Sequence, residues 1–595
     1  MGDTLKDECR NIQSLSGDPI RLQRLGKRIS KAIAAGDIQA QPIRVALLSS
    51  FLTDMLVDAL IATFFSRGLV VQIERAPYGM IEADLLSGHS VTRDCDLVLI
   101  LPTHRDLKQA PTVATTAADA EMAVAREIAP WLDIWSRISQ PIVQLTFDPP
   151  PSRILAEGDG FLPAGLLRHV RQVNLALGAR APGHVALLDA EALAVRVGRD
   201  WHDPRVYFLC KQPFAPAALS EIAGSIAASV AGVLGRARKV LVLDLDHTLW
   251  GGVIGDVGLA GITLGNESPE GEAFVAFQNY VKGLASRGVI LAVCSKNNDA
   301  VAREPFEHHT GMVLKERDIA CFVANFEDKA TNLKRIAKAL NVGLDSLVFV
   351  DDNPVEREWV SSSLPEVLVV DLPAEPAMYA AALEATKAFP MHRLVNEDIT
   401  RNESYRVRNL VLDGLPISGD IGAFLAGLDP VAVVEPVNSS SQERIAQLLA
   451  KTNQFKLNPH VFSSEQILNN AYNVLAVRFK DRTQDYGITS VAVVEKTTAD
   501  ELMIINWVMS CRVFSRRLED LMLELIRNMA KERGASRIRA DFQPSAKNAV
   551  AKEMLLEIGF LAPESGGLVT AVVANSPVRP HFMRIEHSAQ TTQRR

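Results

Sequence analysis

The sequence predicts a multidomain α/β protein, and two observations carry that expectation. Short apolar runs alternate with helical stretches through the first two thirds of the chain. After Pro430 the apolar runs crowd together with short connections. A buried strand followed by a helix, repeated, builds a parallel sheet covered on both faces, whereas closely spaced strands build an antiparallel one. At 595 residues the chain also exceeds what one hydrophobic core holds.

Residues 1–42 read as a helical lead-in, amphipathic around Leu22, Leu25, Ile29 and Ile33. Over 43–235, RVALLS (44–49), LVVQI (69–73), DLVLIL (96–101), PIVQLT (141–146) and HVALLD (184–189) read as the strands of a doubly wound parallel sheet. A helix at 215–235 leads to a second α/β domain, 236–390. It opens at KVLVLDLD (239–246), with later strands at VILAVCS (289–295), ACFVA (320–324), SLVFVDD (346–352) and VLVVDL (367–372). Residues 391–429, with Gly414, Pro416 and Gly419, read as linker plus helix. A third domain, 430–577, mixes antiparallel strands (VAVVEPV, VLAVRF, GITSVAVVEK, LMIINWVM) with helices at 440–451, 515–533 and 545–558. The polar tail, 578–595, is expected to be disordered.

Hydrophobic residues make up 48% and charged residues 22%, ordinary for packed α/β material, and the formal net charge is −7 with no long basic run. Nucleic acid is therefore a poor partner. The six cysteines are scattered without metal-ligand spacing, which fits reduced thiols in a cytoplasm. The N-terminus carries charges where a signal peptide needs an apolar core, and no apolar run approaches the roughly 20 residues that span a bilayer. The expected location is cytoplasmic, without a membrane partner.

The chemistry concentrates in Asp244-Leu245-Asp246-His247-Thr248, at the carboxyl end of an apolar strand, where open parallel sheets bind ligands. Asp244 can attack phosphorus to give an aspartyl-phosphate, and Asp246 can protonate the leaving oxygen and later deprotonate water. Phosphoryl groups call for a hard cation with oxygen ligands. Asp351 and Asp352, at the end of another strand, are placed to hold it with Asp244 and Asp246. Ser295 ends a further strand, and Lys329 follows it at a plausible distance. The bland alternative makes DxD a solvated strand end and DD a helix cap. Four elements in order, all at strand ends or just beyond, favour the site. Their order resembles the haloacid dehalogenase superfamily, whose resemblance implies Mg²⁺ as the cofactor.

A closer resemblance lies in the surrounding words. LDLDHTLWGGVIGDVGLAGITLG (243–265), GEAFVAFQNYVKGLASRGVILAVCSKNN (271–298), LDSLVFVDDNPVEREWV (344–360), TNQFKLN (452–458), MSCRVFSRRLED (509–520) and NAVAKEMLLEIGF (548–560) are similar to the FkbH family. It covers 236–575 strongly and the N-terminal third more loosely. The resemblance implies that 1,3-bisphosphoglycerate, a phosphorylated three-carbon donor, yields a dephosphorylated glyceryl thioester on a phosphopantetheinylated acyl carrier protein, in polyketide-type pathways. It also maps the aspartate site onto Asp244, Asp246, Ser295, Lys329, Asp351 and Asp352. Thr248 and Asn353 are read as binding residues of that site, with Asn353 and Glu356 expected to position the metal or its waters. His247 stands where many relatives have Asn and is assigned to structure. The insert 252–270 is expected to cap Asp244.

Thioester formation needs a thiol besides the phosphate site: the carrier's phosphopantetheine directly, or a protein cysteine. Cys294 immediately precedes Ser295, although strand alternation turns one of the two into the sheet's packing. Cys511 precedes a helix beside Arg512, Arg516 and Arg517, where positive charge favours a thiolate. Cys9, Cys95, Cys210 and Cys321 are assigned to structure. The third domain resembles a GNAT-type acyltransferase, whose strand–turn–helix receives a pantetheine arm. Its turn, Val513-Phe514-Ser515-Arg516-Arg517, lacks the usual glycines, which argues against coenzyme A. Arg512 and Arg516 remain candidates to grip a carrier's phosphate. In the N-terminal third, Ser49-Ser50-Phe51 and Asp200-Trp201-His202-Asp203 resemble the serine and histidine blocks of SGNH-type hydrolases, without the Gly-Asp-Ser word. The expectation is a degenerate docking domain. Three readings compete: a glyceryl transferase with phosphatase activity, a simple phosphatase of a small phosphorylated metabolite, and a scaffold with a vestigial site.

Overall fold

The computed structural model describes residues 5, 18–38, 40–86, 90–394, 401–402, 405, 426–452, 455–468, 472–482, 485–498, 500–510, 513–514, 516–545, 548–561, 568–572 and 580–588. It divides into two compact units, Met1–Val233 and Leu234–Arg595. The fold class is multidomain α/β.

In the first unit the strands are β1 (Ile43–Ser49), β2 (Val71–Arg75), β3 (Leu97–Leu101), β4 (Ile142–Leu145) and β5 (Val185–Leu188). They form one parallel sheet in the order β2-β1-β3-β4-β5. All five residues of β3 are buried, as a central strand covered on both faces must be. The covering helix Ala117–Arg137 starts at a capping box in which the side chains of Thr116 and Asp119 each bond the other's backbone N–H. The lead-in forms a helix, Pro19–Ala34, started by the Asp18 side chain and burying Leu22, Leu25 and Ile29. One stretch of helix, Pro216–Val233, is long and apolar enough to cross a membrane, yet most of it is buried within the unit.

The second unit holds two sheets. The parallel one comprises β6 (Val240–Leu243), β7 (Ile290–Ser295), β8 (Cys321–Ala324), β9 (Leu347–Val350) and β10 (Leu368–Val369), in the order β10-β9-β6-β7-β8. Alternation splits its side chains between two cores. Leu241 and Leu243 of β6 pack with Phe274 and Phe277, whereas Val240 and Val242 pack with Leu333 and Ile336.

The other sheet is built from β11 (Val431–Glu435), β12 (Phe455–Lys456), β13 (Asn473–Lys480), β14 (Asp485–Thr498), β15 (Glu501–Met509), β16 (Arg537–Asp541), β17 (Leu568–Val572) and β18 (Arg584–His587). Its order is β17-β16-β15-β14-β13-β11-β18, with β12 paired to β15. Strand β14 again sorts its residues by face: Ala492 and Val494 join the core around Trp507, and Val491 and Val493 join the core around Ile445 and Leu449. Strand β18 corrects the expectation of a disordered tail. Arg584–His587 pairs in parallel with Val431–Val434, so main-chain hydrogen bonds order the segment, and Ile585 packs against the core around Trp507. Most of the expected linker, 391–429, lies outside the described residues.

Lys456, in this sheet, is buried with no carboxylate partner among the described residues. Lys456 is 8% exposed, and its Nζ donates to the Leu449 carbonyl at 2.7 Å. Burial, with a smaller push from the charge of Arg236, lowers its pKa from 10.5 to about 8. Between those two values the unfolded chain carries a proton that the folded chain has shed. Stability therefore rises with pH across that window, by at most about 3 kcal/mol. Urea unfolding from about pH 7 to about pH 10 should show this rise in the native protein. In Lys456→Met the rise should vanish, with a gain in stability at neutral pH. A rise that persists in the variant would assign it to another group.

Candidate active site

The loops that follow β6, β7 and β9 meet at the carboxyl end of the parallel sheet. Asp244 directly follows β6, and its backbone N–H donates to the Val350 carbonyl of β9 at 3.0 Å. Ser295 ends β7 and is buried. Asp351 and Asp352 follow β9. Lys329 is the first residue of the helix Lys329–Leu340, capped by the Asp328 side chain. A lysine in the first turn faces the positive end of the helix dipole, so its placement needs compensation.

The compensation is electrostatic. Lys329 Nζ lies 2.5 Å from Asp351 Oδ2 and 2.9 Å from Asp244 Oδ2, and the lysine is 3% exposed. Burial disfavours its charge, but the two carboxylates outweigh burial and hold its pKa above the usual lysine value. Asp351 is pushed up chiefly by burial and next by Asp244, with Lys329 opposing. Asp352 is raised by the same two causes. Carboxylate oxygens of Asp244, Asp351 and Asp352 all lie within 4.8 Å of one another.

The supports of this cluster are as specific. Thr248 Oγ1 accepts from the Asp352 backbone N–H at 3.2 Å, and Arg357 donates to the carbonyls of Asp351 and Asp352 at 3.0 and 2.7 Å. His247 adopts a left-handed φ of 55°, its carbonyl accepts from the Tyr379 hydroxyl at 3.1 Å, and its ring accepts from the Gly252 N–H. Gly252 itself has φ 90°, a conformation that a side chain would strain.

Asp246 is set apart from the cluster. Its Oδ1 accepts from Trp250 Nε1 at 2.9 Å and from the Ile254 N–H at 3.0 Å, and its Oδ2 accepts from Asn297 Nδ2 at 3.1 Å. Burial raises its pKa, with the charge of Asp244 adding to the effect. That is the environment of a proton donor. It corrects the expectation that the Asp246 side chain ligates the metal, because its oxygens are taken by other donors. The insert after Gly251 contributes Ile254 and folds back through a Gly251–Thr263 bridge.

Other expectations are corrected too. Cys294 faces away from the site, buried beside Val240, Val242 and Leu333, and burial pushes its thiol far above the ordinary range. A thiolate nucleophile is excluded there by the strand alternation that puts Ser295 at the site. Asn353 caps the helix Pro354–Ser363, its side chain accepting from the Val355 N–H at 2.9 Å rather than binding a ligand. Glu356 pairs with Lys296. Arg516 is buried against Asp481 at 2.6 Å and the Tyr486 hydroxyl at 3.2 Å, so it is not offered to a carrier's phosphate. Cys511 and Arg512 lie outside the described residues. Sequence reasoning missed Asn297, Trp250 and Arg357. All three lie in words singled out for other residues, and Arg357 acts through backbone carbonyls, which give a side chain no partner to read in the sequence.

In the first unit, the Ser49 hydroxyl donates to the Phe51 carbonyl within its own turn, and the Ser50 hydroxyl donates to Asp106 at 2.6 Å. Asp200 is exposed. His202 instead meets Asp148, a carboxylate that the sequence did not single out, at 2.6 Å.

The donor set of Asp244, Asp351 and Asp352 suits a hard divalent ion. One further observation tests the fit: Asp244 Oδ1 is buried and has no hydrogen-bond partner among the described residues. A buried carboxylate oxygen without a donor is costly unless a cation completes it. Mg²⁺ fits.

No protein-family model and no curated protein matches the chain. Among solved structures, the phosphatase-domain-containing N-terminal part of the Bacteroides fragilis protein BF1531, complexed with Mg, matches at 29% identity and a TM-score of 0.57. The match covers 62% of this chain and 99% of that one. The Escherichia coli ribosomal-protein-S18-alanine N-acetyltransferase matches at 13% identity and TM-score 0.19, covering 25% of this chain and 97% of that one. Neisseria gonorrhoeae N-acetylglutamate synthase, complexed with coenzyme A and N-acetyl-glutamate, matches at 10% and 0.20, covering 59% and 99%. The last two scores are too low to assign a fold.

Replacing Lys329 by Met leaves Asp244 and Asp351 facing each other uncompensated. In chelator, Lys329→Met should lose about 3–5 kcal/mol of stability, the cost of breaking a buried ion pair. Saturating Mg²⁺ should recover part of that loss and stabilise the variant more than the native protein. Denaturant melts with and without Mg²⁺ read both effects, and an unchanged midpoint in chelator would remove Lys329 from its compensating role.

Proposed function

We propose that the chain is a Mg²⁺-dependent phosphatase of haloacid dehalogenase type that works as a glyceryl transferase, in the manner of the FkbH family. Its donor would be 1,3-bisphosphoglycerate and its acceptor the phosphopantetheine thiol of an acyl carrier protein, in the cytoplasm. The observation that carries the phosphatase part is the unpartnered, buried Asp244 Oδ1 beside Asp351, Asp352 and Lys329. The Mg-complexed phosphatase-domain neighbour supports it.

In this reading Asp244 attacks the phosphate ester, and Lys329 offsets the charge that gathers on the transferred group. Asp246, with its raised pKa, gives its proton to the leaving oxygen and then takes one from water. Ser295 lies beside the phosphate. Bound Mg²⁺, held by Asp244, Asp351 and Asp352, would supply Lewis-acid polarisation of the phosphoryl oxygens. Thr248 and Arg357 fix Asp352 and its backbone so that the carboxylates do not rearrange.

Glyceryl transfer rests on the resemblance of 236–575 to the FkbH family. The thiol attacks the acyl carbon of the donor's acyl phosphate, and inorganic phosphate leaves as the C–S bond forms; the acyl group is already activated, so no second acid–base pair is required. With Cys294 in the core, the acceptor is the carrier's phosphopantetheine, directly or by way of Cys511. The paired Arg516 and the glycine-free turn leave coenzyme A a poor candidate for the pantetheine donor.

Intact-protein mass spectrometry of the enzyme, Mg²⁺, 1,3-bisphosphoglycerate generated in place and a phosphopantetheinylated carrier tests both parts. A glyceryl adduct should appear on the carrier. With Asp244→Asn, release of the ester phosphate should fall by at least about a thousandfold, as loss of a covalent nucleophile does; the phosphate that the thiol expels from the acyl phosphate should still appear, and any carrier adduct should retain its ester phosphate. Phosphate release without an adduct on any partner would reduce the function to that of a simple phosphatase.

A further inference from the structure

We propose that the first unit carries a second metal site, for a divalent transition metal of the Zn²⁺ class, formed by His104, Asp148 and His202. The three residues come from three separate loops at one end of the parallel sheet. His104 follows β3, Asp148 follows β4, and His202 follows the turn Gly198–Trp201. The sheet order β2-β1-β3-β4-β5 reverses direction between β1 and β3, and such a switch point opens the crevice in which α/β sheets bind ligands.

The ligand atoms are already gathered. His104 Nδ1 lies 3.0 Å from Asp148 Oδ1, and His202 Nε2 lies 2.6 Å from Asp148 Oδ2. One candidate atom from each residue falls within a sphere of coordination size, all within 4.8 Å of one another. The His104 backbone N–H donates to Asp148 Oδ1 at 2.7 Å, and Trp201 Nε1 approaches Oδ2 at 3.4 Å. These donors fix the carboxylate from outside the ligand set, as the outer hydrogen bonds of metal-ligating carboxylates do.

Charge makes the case for a cation. Asp148 is fully buried, and among the described residues its only ion-pair partners are the two histidines, neither lysine nor arginine. Arg105, next to His104 in the chain, stacks on Tyr207 instead. Neutral imidazoles satisfy hydrogen bonds but leave a buried negative charge unbalanced. A dication bound by two neutral imidazoles and one carboxylate balances it, and three protein ligands leave coordination positions open for a small molecule. Two imidazole nitrogens and a carboxylate favour a borderline ion over Mg²⁺, whereas the all-oxygen cluster of the second unit favours Mg²⁺. One chain would thus keep two ions apart by ligand softness.

Co²⁺ is the probe. Chelator-stripped full-length protein, with saturating Mg²⁺ to occupy the carboxylate cluster, should bind one equivalent of Co²⁺ with visible ligand-field absorption. Zn²⁺ should displace it. His104→Ala or His202→Ala should weaken binding by at least about tenfold, while Asp351→Asn should leave the band intact. His202→Gln keeps an N–H donor for Asp148 but removes the imidazole, so it should lose the band while its melting temperature stays near the native one. Absence of a band, a band that survives in the His104→Ala/His202→Ala double variant, or one lost only in Asp351→Asn would overturn the proposal. The cluster would then be a carboxylate held by its hydrogen bonds to the two imidazoles alone.

Discussion

The second unit depends on one constraint: several carboxylates must share a buried pocket at the end of a parallel sheet. Parallel strands deliver their carboxyl ends to the same side, so residues just past β6 and β9 converge whether or not their charges agree. Asp244, Asp351 and Asp352 converge in this way. Lys329 is the group that makes the arrangement tolerable, an ammonium held between two of them at the cost of an unfavourable position on its helix. Around that ion pair the remaining contacts become legible. Thr248 and Arg357 hold the backbone that carries Asp351 and Asp352, and Asn353 starts the helix that carries Arg357.

The same constraint separates two aspartates that differ by two residues in the chain. Asp244 lies with Lys329 and keeps one buried oxygen without a donor. Asp246 accepts from three N–H donors and still feels the charge of Asp244. The first environment leaves an oxygen for a cation to complete, and burial in the second raises the pKa of Asp246, as a proton donor requires. The division rests on Trp250, fully buried with its indole N–H on Asp246, and on the insert residue Ile254. Local sequence sets the spacing of the aspartates, and packing at a distance sets their chemistry.

Much of this was legible in the sequence because parallel sheets are written plainly. Apolar runs such as VLVL and LVFV end in charged residues, and charged residues at strand ends are where the chemistry lies. What stayed hidden depended on facts outside any one run. The alternation of β7 could be read, but which of Cys294 and Ser295 faced the core required the helix Lys329–Leu340 to be in place. Arg516 sat in an arginine-rich word that suggested an anion. Its partner, Asp481, lies in a different strand connection and neutralises it internally. The tail was judged by its polar side chains, yet β18 is held by main-chain bonds that composition does not report.

The first unit shows the same lesson in reverse. Its serine and histidine words, which resemble a hydrolase pattern, hold Asp200 and Asp203 as the carboxylates nearest His202 in the chain. The carboxylate that meets His202 is Asp148, far away in the chain, just past β4. Neither Asp148 nor His104 stands in a recognisable motif, because each belongs to a separate loop and the spacing between loops is free. A serine hydrolase needs one imidazole between a carboxylate and a hydroxyl. Here two imidazoles share one carboxylate, while Ser50 is engaged by Asp106. That stoichiometry departs from nucleophilic catalysis and matches a coordination site, so the resemblance of the sequence words and the chemistry of the side chains point in different directions.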